Sequence, residues 1–130
     1  MVSIEGQKAP KKMVEDTNIE RLAYIVASEL NMNLIPFAWS VTKAAPYACE
    51  VTGRAKRSTG LGAASAGQAV VDLSVSGAEI SELTKMNGMI VSRNLYTGQN
   101  FRTSTDTRDL ANRIALKIER AMKAQLSLTS

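Results

Sequence analysis

The residues of this chain that could do chemistry are few, and the types that are missing restrict the function as much as those present. Its 130 residues include no histidine and one cysteine, Cys49. Without histidine there is no Ser-His-Asp or Cys-His arrangement, no imidazole ligand for zinc, and no side chain that titrates near neutrality unless its pKa is strongly displaced. One thiol makes neither an internal disulfide nor a thiolate cluster. Cys49 also alternates with Tyr47 and Val51 in an apolar pattern, which reads as a small buried thiol rather than a nucleophile. Asp72 and Glu50 fall on expected central strands, on the face opposite their apolar neighbours, where solvated charge belongs. No motif turns them into a magnesium site. The sequence therefore assigns no catalytic residue, no metal ligand and no cofactor, and the expected protein is not an enzyme.

The glycines at 60, 62 and 67 invite a phosphate-loop reading, since backbone amides can cradle an anion. The spacing fails it. Thr59-Gly60-Leu61-Gly62 is followed by neither Gly-Lys-Ser/Thr nor a helix, and a flexible connection is the simpler reading.

Positive charge is more informative. Sixteen Lys and Arg against twelve Asp and Glu leave a formal charge of +4, a mild bias toward anionic partners. Arg54, Lys56 and Arg57 close a strand that leads into the glycine-rich segment. Arg93 and Arg102 flank an expected hairpin tip beside Tyr96 and Phe101. Cations beside exposed rings are what a single-stranded DNA or RNA site uses, the cations for phosphates and the rings for stacking. These seven residues form the expected nucleic-acid site. The competing reading makes the same cations guards of strand edges and every ring a core residue. Arg113, Lys117 and Arg120 add a cationic strip on the last helix, which reads as a solvated face diluted by Asp109 and Glu119.

The elements that must position these residues follow from periodicity. Residues 1–16 have no period and read as a flexible arm. Thr17-Asn18-Ile19-Glu20 has the form of a capping box, and Ile19, Leu22, Ala23, Val26 and Leu30 line one helix face to about Asn31. From Leu34 to Val41 apolar residues alternate, which predicts a strand that begins at, or lies at an edge because of, Pro36. Lys43 to Pro46 read as a turn, and Tyr47 to about Arg57 as a second strand. Ala69, Val71, Leu73 and Val75 give the clearest half-buried strand. Glu79 to Lys85 fit either a helical turn or a strand, and Asn87-Gly88 marks a reversal. Met89 opens another strand. A hairpin centred on Thr97-Gly98 would set Asn94 against Phe101 and Arg93 against Arg102. Asp106 is the expected N-cap of a final helix to about Gln125, with Leu110, Ala111, Ile114 and Ile118 on its apolar stripe.

Helix, strands with hairpin connections, then helix predicts a single α+β domain over residues 17–126, with 127–130 a short tail. Its antiparallel sheet of four or five strands has the N-terminal and C-terminal helices packed on one face. The other face would be open, carrying Val70, Asp72, Ser74 and Ser76 with Glu50, Thr52 and Arg54. Six methionines suit adaptable contacts, so a homo-oligomer or assembly subunit is the alternative to nucleic-acid binding. Nothing in the first fifteen residues reads as a secretion signal and no apolar run is long enough to span a bilayer, so a reducing, cytoplasmic setting is expected. Replacing Arg54, Lys56 and Arg57 together with Ala is expected to weaken polynucleotide binding. The slope of log affinity against log salt should flatten by about one unit for each phosphate no longer neutralised, and filter binding across a salt series measures both.

Overall fold

The computed structural model describes residues 19–56, 67–77, 79–97 and 104–129. They form an N-terminal helix α1 (19–33), strands β1 (Phe37–Ala45), β2 (Ala48–Ala55), β3 (Gln68–Ser76), β4 (Glu79–Met86) and β5 (Met89–Thr97), and a C-terminal helix α2 (Ser104–Thr129). The strands make one antiparallel sheet in the order β1-β2-β3-β4-β5. Such a meander needs only short connections, and both helices cover the same face, as the apolar stripes require.

The α1 stripe of Ile19, Leu22, Val26 and Leu30 is buried, as are Leu110, Ile114, Ile118 and Met122 of α2. They close on Phe37, Trp39, Cys49, Val51, Val71 and Leu73 of the sheet in one hydrophobic core. The α1 helix runs two residues past its expected end and stops before Pro36, since the residue preceding a proline is pushed out of helical conformation. Between them, the Leu34 amide reaches back to the Leu30 carbonyl at 2.7 Å and the Phe37 amide to that of Leu34 at 3.1 Å, which starts β1 at Phe37.

Several expectations are corrected. Lys43 to Ala45 continue β1 instead of turning. A bulge between Val41 and Lys43 lets the strand carry on after its alternation breaks. The turn is confined to residues 46 and 47, and Tyr47 is exposed there, not on the inward face of β2. Of the two readings left open for Glu79 to Lys85, the strand is the one formed. Helix α2 starts at Ser104, so Asp106 stands inside it, and it continues through positions 127–129, where a tail was expected. The capping box at Thr17, the arm and the glycine-rich segment from Ser58 up to, but not including, its last residue Gly67 lie outside the described residues. The Asn87-Gly88 reversal is as expected: both residues have positive φ, 54° and 84°, the geometry of a type I′ hairpin.

One contact fixes how β1 meets the rest. Trp39 faces Gly53 across the β1–β2 ladder, and its indole lies so close to the bare backbone that a Cβ on Gly53 would sit 2.6 Å from two ring carbons. The outer edge of β1 at the same residue is occupied by a side chain. Asn31 of α1 accepts the Trp39 amide on Oδ1 at 2.7 Å and donates from Nδ2 to the Trp39 carbonyl at 2.9 Å. An asparagine amide thus stands where another strand would pair, and the helix is tied to the sheet edge. Gly53→Ala is expected to cost about 1–3 kcal/mol through overpacking against the indole, read as a lower midpoint in urea denaturation. An unchanged midpoint would mean that Trp39 can move aside freely.

Candidate functional site

The register divides the sheet into two chemically different faces. On the covered face Ala69, Val71 and Leu73 of β3 are followed on β4 by Ile80, Glu82, Thr84 and Met86, and on β5 by Ser92, Asn94 and Tyr96. The open face carries Ser40 and Lys43 of β1, Glu50, Thr52 and Arg54 of β2, and Val70, Asp72 and Ser74 of β3. Beyond these lie Ser81, Leu83 and Lys85 of β4 and Ile90, Arg93 and Leu95 of β5.

The seven expected nucleic-acid contacts do not converge. Arg54 and Arg93 are both exposed on the open face, but β3 and β4 lie between their strands, so at about 4.8 Å per strand they stand roughly 14 Å apart laterally. Lys56 is half-buried at the end of β2, where its amide donates to the Pro36 carbonyl at 2.9 Å. Arg57, Phe101 and Arg102 lie outside the described residues. Across the ladder Arg93 faces Leu83 and Asn94 faces Glu82, so their described neighbours belong to β4 rather than to a hairpin partner.

Tyr96 is the clear correction. It was expected as an exposed stacking ring, yet only 5% of it is accessible. It shares the inward parity of Ile80, which it faces on β4. Lys117 of α2 lies over the ring, its Nζ 5.2 Å from the centroid, so this member of the helical cationic strip is turned toward the sheet. Burial and the nearby Glu82 carboxylate push the Tyr96 hydroxyl well above its ordinary value, against the pull of Arg113. The hydroxyl is buried without a hydrogen-bond partner among the described residues, as is the Trp39 indole nitrogen.

Glu82 was missed in the sequence. It is 1% exposed, and its carboxylate is held by neutral donors. Thr84 Oγ1 donates to Oε2, while Ser92 Oγ at 3.0 Å and Asn94 Nδ2 at 2.8 Å donate to Oε1. Asn94 also donates to Ser92 Oγ at 3.0 Å. The signal was present: Glu82 and Thr84 share the parity of Ile80 and Met86, so once this segment is a strand both polar residues must point inward. With both oxygens engaged by its own neighbours, this carboxylate is a structural group of the core.

On the open face Glu50 and Asp72 stand directly opposite each other. Thr42 Oγ1 donates to Glu50 Oε1 at 2.9 Å and lies 2.8 Å from Thr52 Oγ1, which ties the acidic pair to a row of hydroxyls. Desolvation, then the facing Glu50 charge, raises the Asp72 pKa, with Lys85 and Lys43 pulling the other way. No group of three or more potential metal ligands occurs among the described residues, and no helix there is long and apolar enough to cross a membrane.

The open face has a further property. Among the described residues, the exposed large apolar side chains include Leu95 at 69%, Met89 at 66% and Ile90 at 51% on β5, the terminal strand of the sheet, with Leu95 and Ile90 on the open face and Met89 opposite Met86 at the strand's end; Met32, Ile35, Tyr24 and Tyr47 are exposed elsewhere. Among the described residues no ring accompanies them: Phe37, Trp39 and Tyr96 are buried, Tyr24 is on α1 and Tyr47 is in the β1–β2 turn. Comparison with protein-family models, with curated proteins and with solved structures gives no match for this chain.

The raised Asp72 pKa has a definite sign. A carboxyl whose folded-state pKa lies above its unfolded value favours folding only at low pH, and that contribution is lost as pH rises through the folded value. Asp72→Asn is therefore expected to stabilise the protein at neutral pH by under about 1 kcal/mol, the screened range for exposed cross-strand charges. The gain should disappear below about pH 3, where both states are protonated; paired thermal melts at the two pH values check it.

Proposed function

We propose that the chain is a non-catalytic assembly module that self-associates through the β5 edge and the adjoining part of the open sheet face. The observation that carries this is the asymmetry of the two sheet edges. At β1 the Asn31 amide takes both backbone groups of Trp39. At β5 the terminal strand presents Met89, Ile90 and Leu95 to solvent, and no side-chain amide of a described residue caps it. An edge strand with exposed apolar side chains is a template for pairing, and an antiparallel edge can pair with its own copy about a twofold axis. Leu83, half-buried between Asp72 and Arg93 on the open face, extends the apolar strip inward from the edge.

A second reading has its own support. Arg54 and Arg93 are exposed on the same face as Lys43 and Lys85, among serine and threonine hydroxyls, so an anionic polymer such as single-stranded nucleic acid could be held there by its phosphates. Glu50, Asp72 and Glu79 offset three of those four charges and no described ring is present for stacking, which makes this the weaker of the two. Replacing Arg54 and Arg93 together with Ala, measured across the same salt series, tests it.

For the assembly reading, light scattering on the eluting protein should give a mass above 14.0 kDa that persists in high salt. Ile90→Lys with Leu95→Lys should return the chain to the monomer mass, since like charges would face one another across the paired edges. A wild-type protein that stays monomeric at high concentration in both salts overturns self-association. A multimer unaffected by the two lysines overturns the β5 edge.

A further inference from the structure

On the opposite side of the molecule from the open sheet face, the two helices leave a groove of about 320 Å³ between them. Residues at helical spacing on α1, Arg21, Tyr24, Ser28 and Glu29, form one wall, and Arg108 and Asn112, one turn apart on α2, form the other. We propose that this groove binds a nucleotide, a phosphate joined to a planar ring. The inference does not rest on the assembly reading, which concerns the other face of the sheet.

The chemistry of the walls favours this ligand class. Arg21 and Arg108 come from different helices, both are exposed, and neither is in an ion pair with a described residue, so two guanidinium groups border one concavity. A guanidinium matches a phosphate by paired, charge-assisted hydrogen bonds, and two of them suit its dianion. Tyr24 is 59% exposed, in contrast to the buried Phe37, Trp39 and Tyr96, and it stands one turn from Arg21 with its ring free to stack on a base. Asn112 offers an amide that can both donate and accept at a base edge. Ser28 and Glu29 offer a hydroxyl and a carboxylate to the sugar hydroxyls. The volume is at the small end of ligand sites, which fits a mononucleotide or a single residue of a strand.

The stacking ring and paired cations sought at the β5 tip are thus found together on the helical side. The same chemistry could arrive as a free nucleotide or as one unit of a single strand, and competition separates the two. The probes are adenosine monophosphate, inorganic phosphate and a short single-stranded oligodeoxyadenylate, titrated calorimetrically into the full chain. Adenosine monophosphate is expected to bind, and inorganic phosphate to bind about tenfold or more weakly for want of the ring. Arg21→Ala and Arg108→Ala should each weaken the nucleotide about tenfold or more, the scale of a missing hydrogen bond to a charged group. Tyr24→Ala should weaken it to a similar extent with little effect on phosphate. Arg93→Ala, on the other face, should leave it unchanged. All four side chains are exposed, and circular dichroism of each variant confirms the fold. Oligonucleotide that displaces the mononucleotide identifies a strand as the source, and oligonucleotide that does not compete identifies the free nucleotide. No binding of adenosine monophosphate in the millimolar range, or binding indifferent to Arg21, Arg108 and Tyr24, overturns the site.

Discussion

The arrangement of this molecule depends on the indole of Trp39 lying on the bare backbone of Gly53. A glycine inside a strand is a weakness unless something fills the space it leaves, and here the largest side chain type fills it, with Phe37 beside it at a centroid distance of 5.7 Å. The contact sets the level at which β1 joins β2. It also places the Trp39 backbone where Asn31 can grip it from α1, so the first helix, the first strand and the second are fixed relative to one another at a single residue. Cys49 enters the same layer: its thiol lies 3.9 Å from the Ile19 carbonyl of α1, and burial raises its pKa, as expected for a thiol that fills space between helix and sheet.

The far side of the sheet is built differently. Where β4 and β5 pass beneath α2, the covered face changes from apolar to polar, with Glu82, Thr84 and Ser92 buried and Asn94 half-buried. Burying a carboxylate without a cation is costly, and the cost is offset only when donors surround it. Those donors come from the sheet itself, so the network depends on the β4–β5 register. A slip of one residue would turn Glu82 outward and scatter its partners. The Asn87-Gly88 turn, with both residues at positive φ, closes the hairpin, and a bulge between Thr84 and Lys85 separates it from that network. A polar network here therefore specifies strand pairing next to Tyr96, over whose ring Lys117 of α2 lies.

Much of the fold was legible because its signals were periodic and redundant. Both helices carried uninterrupted apolar stripes, β3 alternated cleanly, and Asn-Gly has a mechanism that selects one turn type. Less was legible where one residue obeyed two rules. Tyr96 beside Arg93 looked like a stacking ring next to a cation, yet alternation along β5 puts the two on opposite faces, and parity decides which of them meets solvent. Glu82 failed for the converse reason: a charged residue is read as outward until the strand containing it is recognised. The Lys43 to Ala45 segment was mistaken for a turn because a bulge shifts parity in the middle of a strand, and no composition rule marks that position. Tyr24 lay in the first helix all along. Its exposure becomes meaningful only when α2 is set beside it and Arg108 reaches the same groove, a tertiary fact that no spacing along one helix contains.

These features divide the surface by chemistry. At β1, where the chain could have left a second open edge, a buried tryptophan, a glycine and an asparagine together occupy it at the level of Trp39. At β5 it leaves Met89, Ile90 and Leu95 in water, against the usual practice of blunting an edge with charge. Had edge protection been the purpose of the cations, β5 is where they would be needed. Arg93 is there, but it shares the open face with Leu95 and Ile90 rather than replacing them. On the helical side the order is reversed: the apolar stripes are taken up by the core, and what remains outward is Arg21, Tyr24, Arg108 and Asn112 around one groove. Association through the sheet edge would leave that groove untouched, because the sheet and its buried core separate the two surfaces. The proposed assembly face and the proposed ligand groove thus draw on different residues.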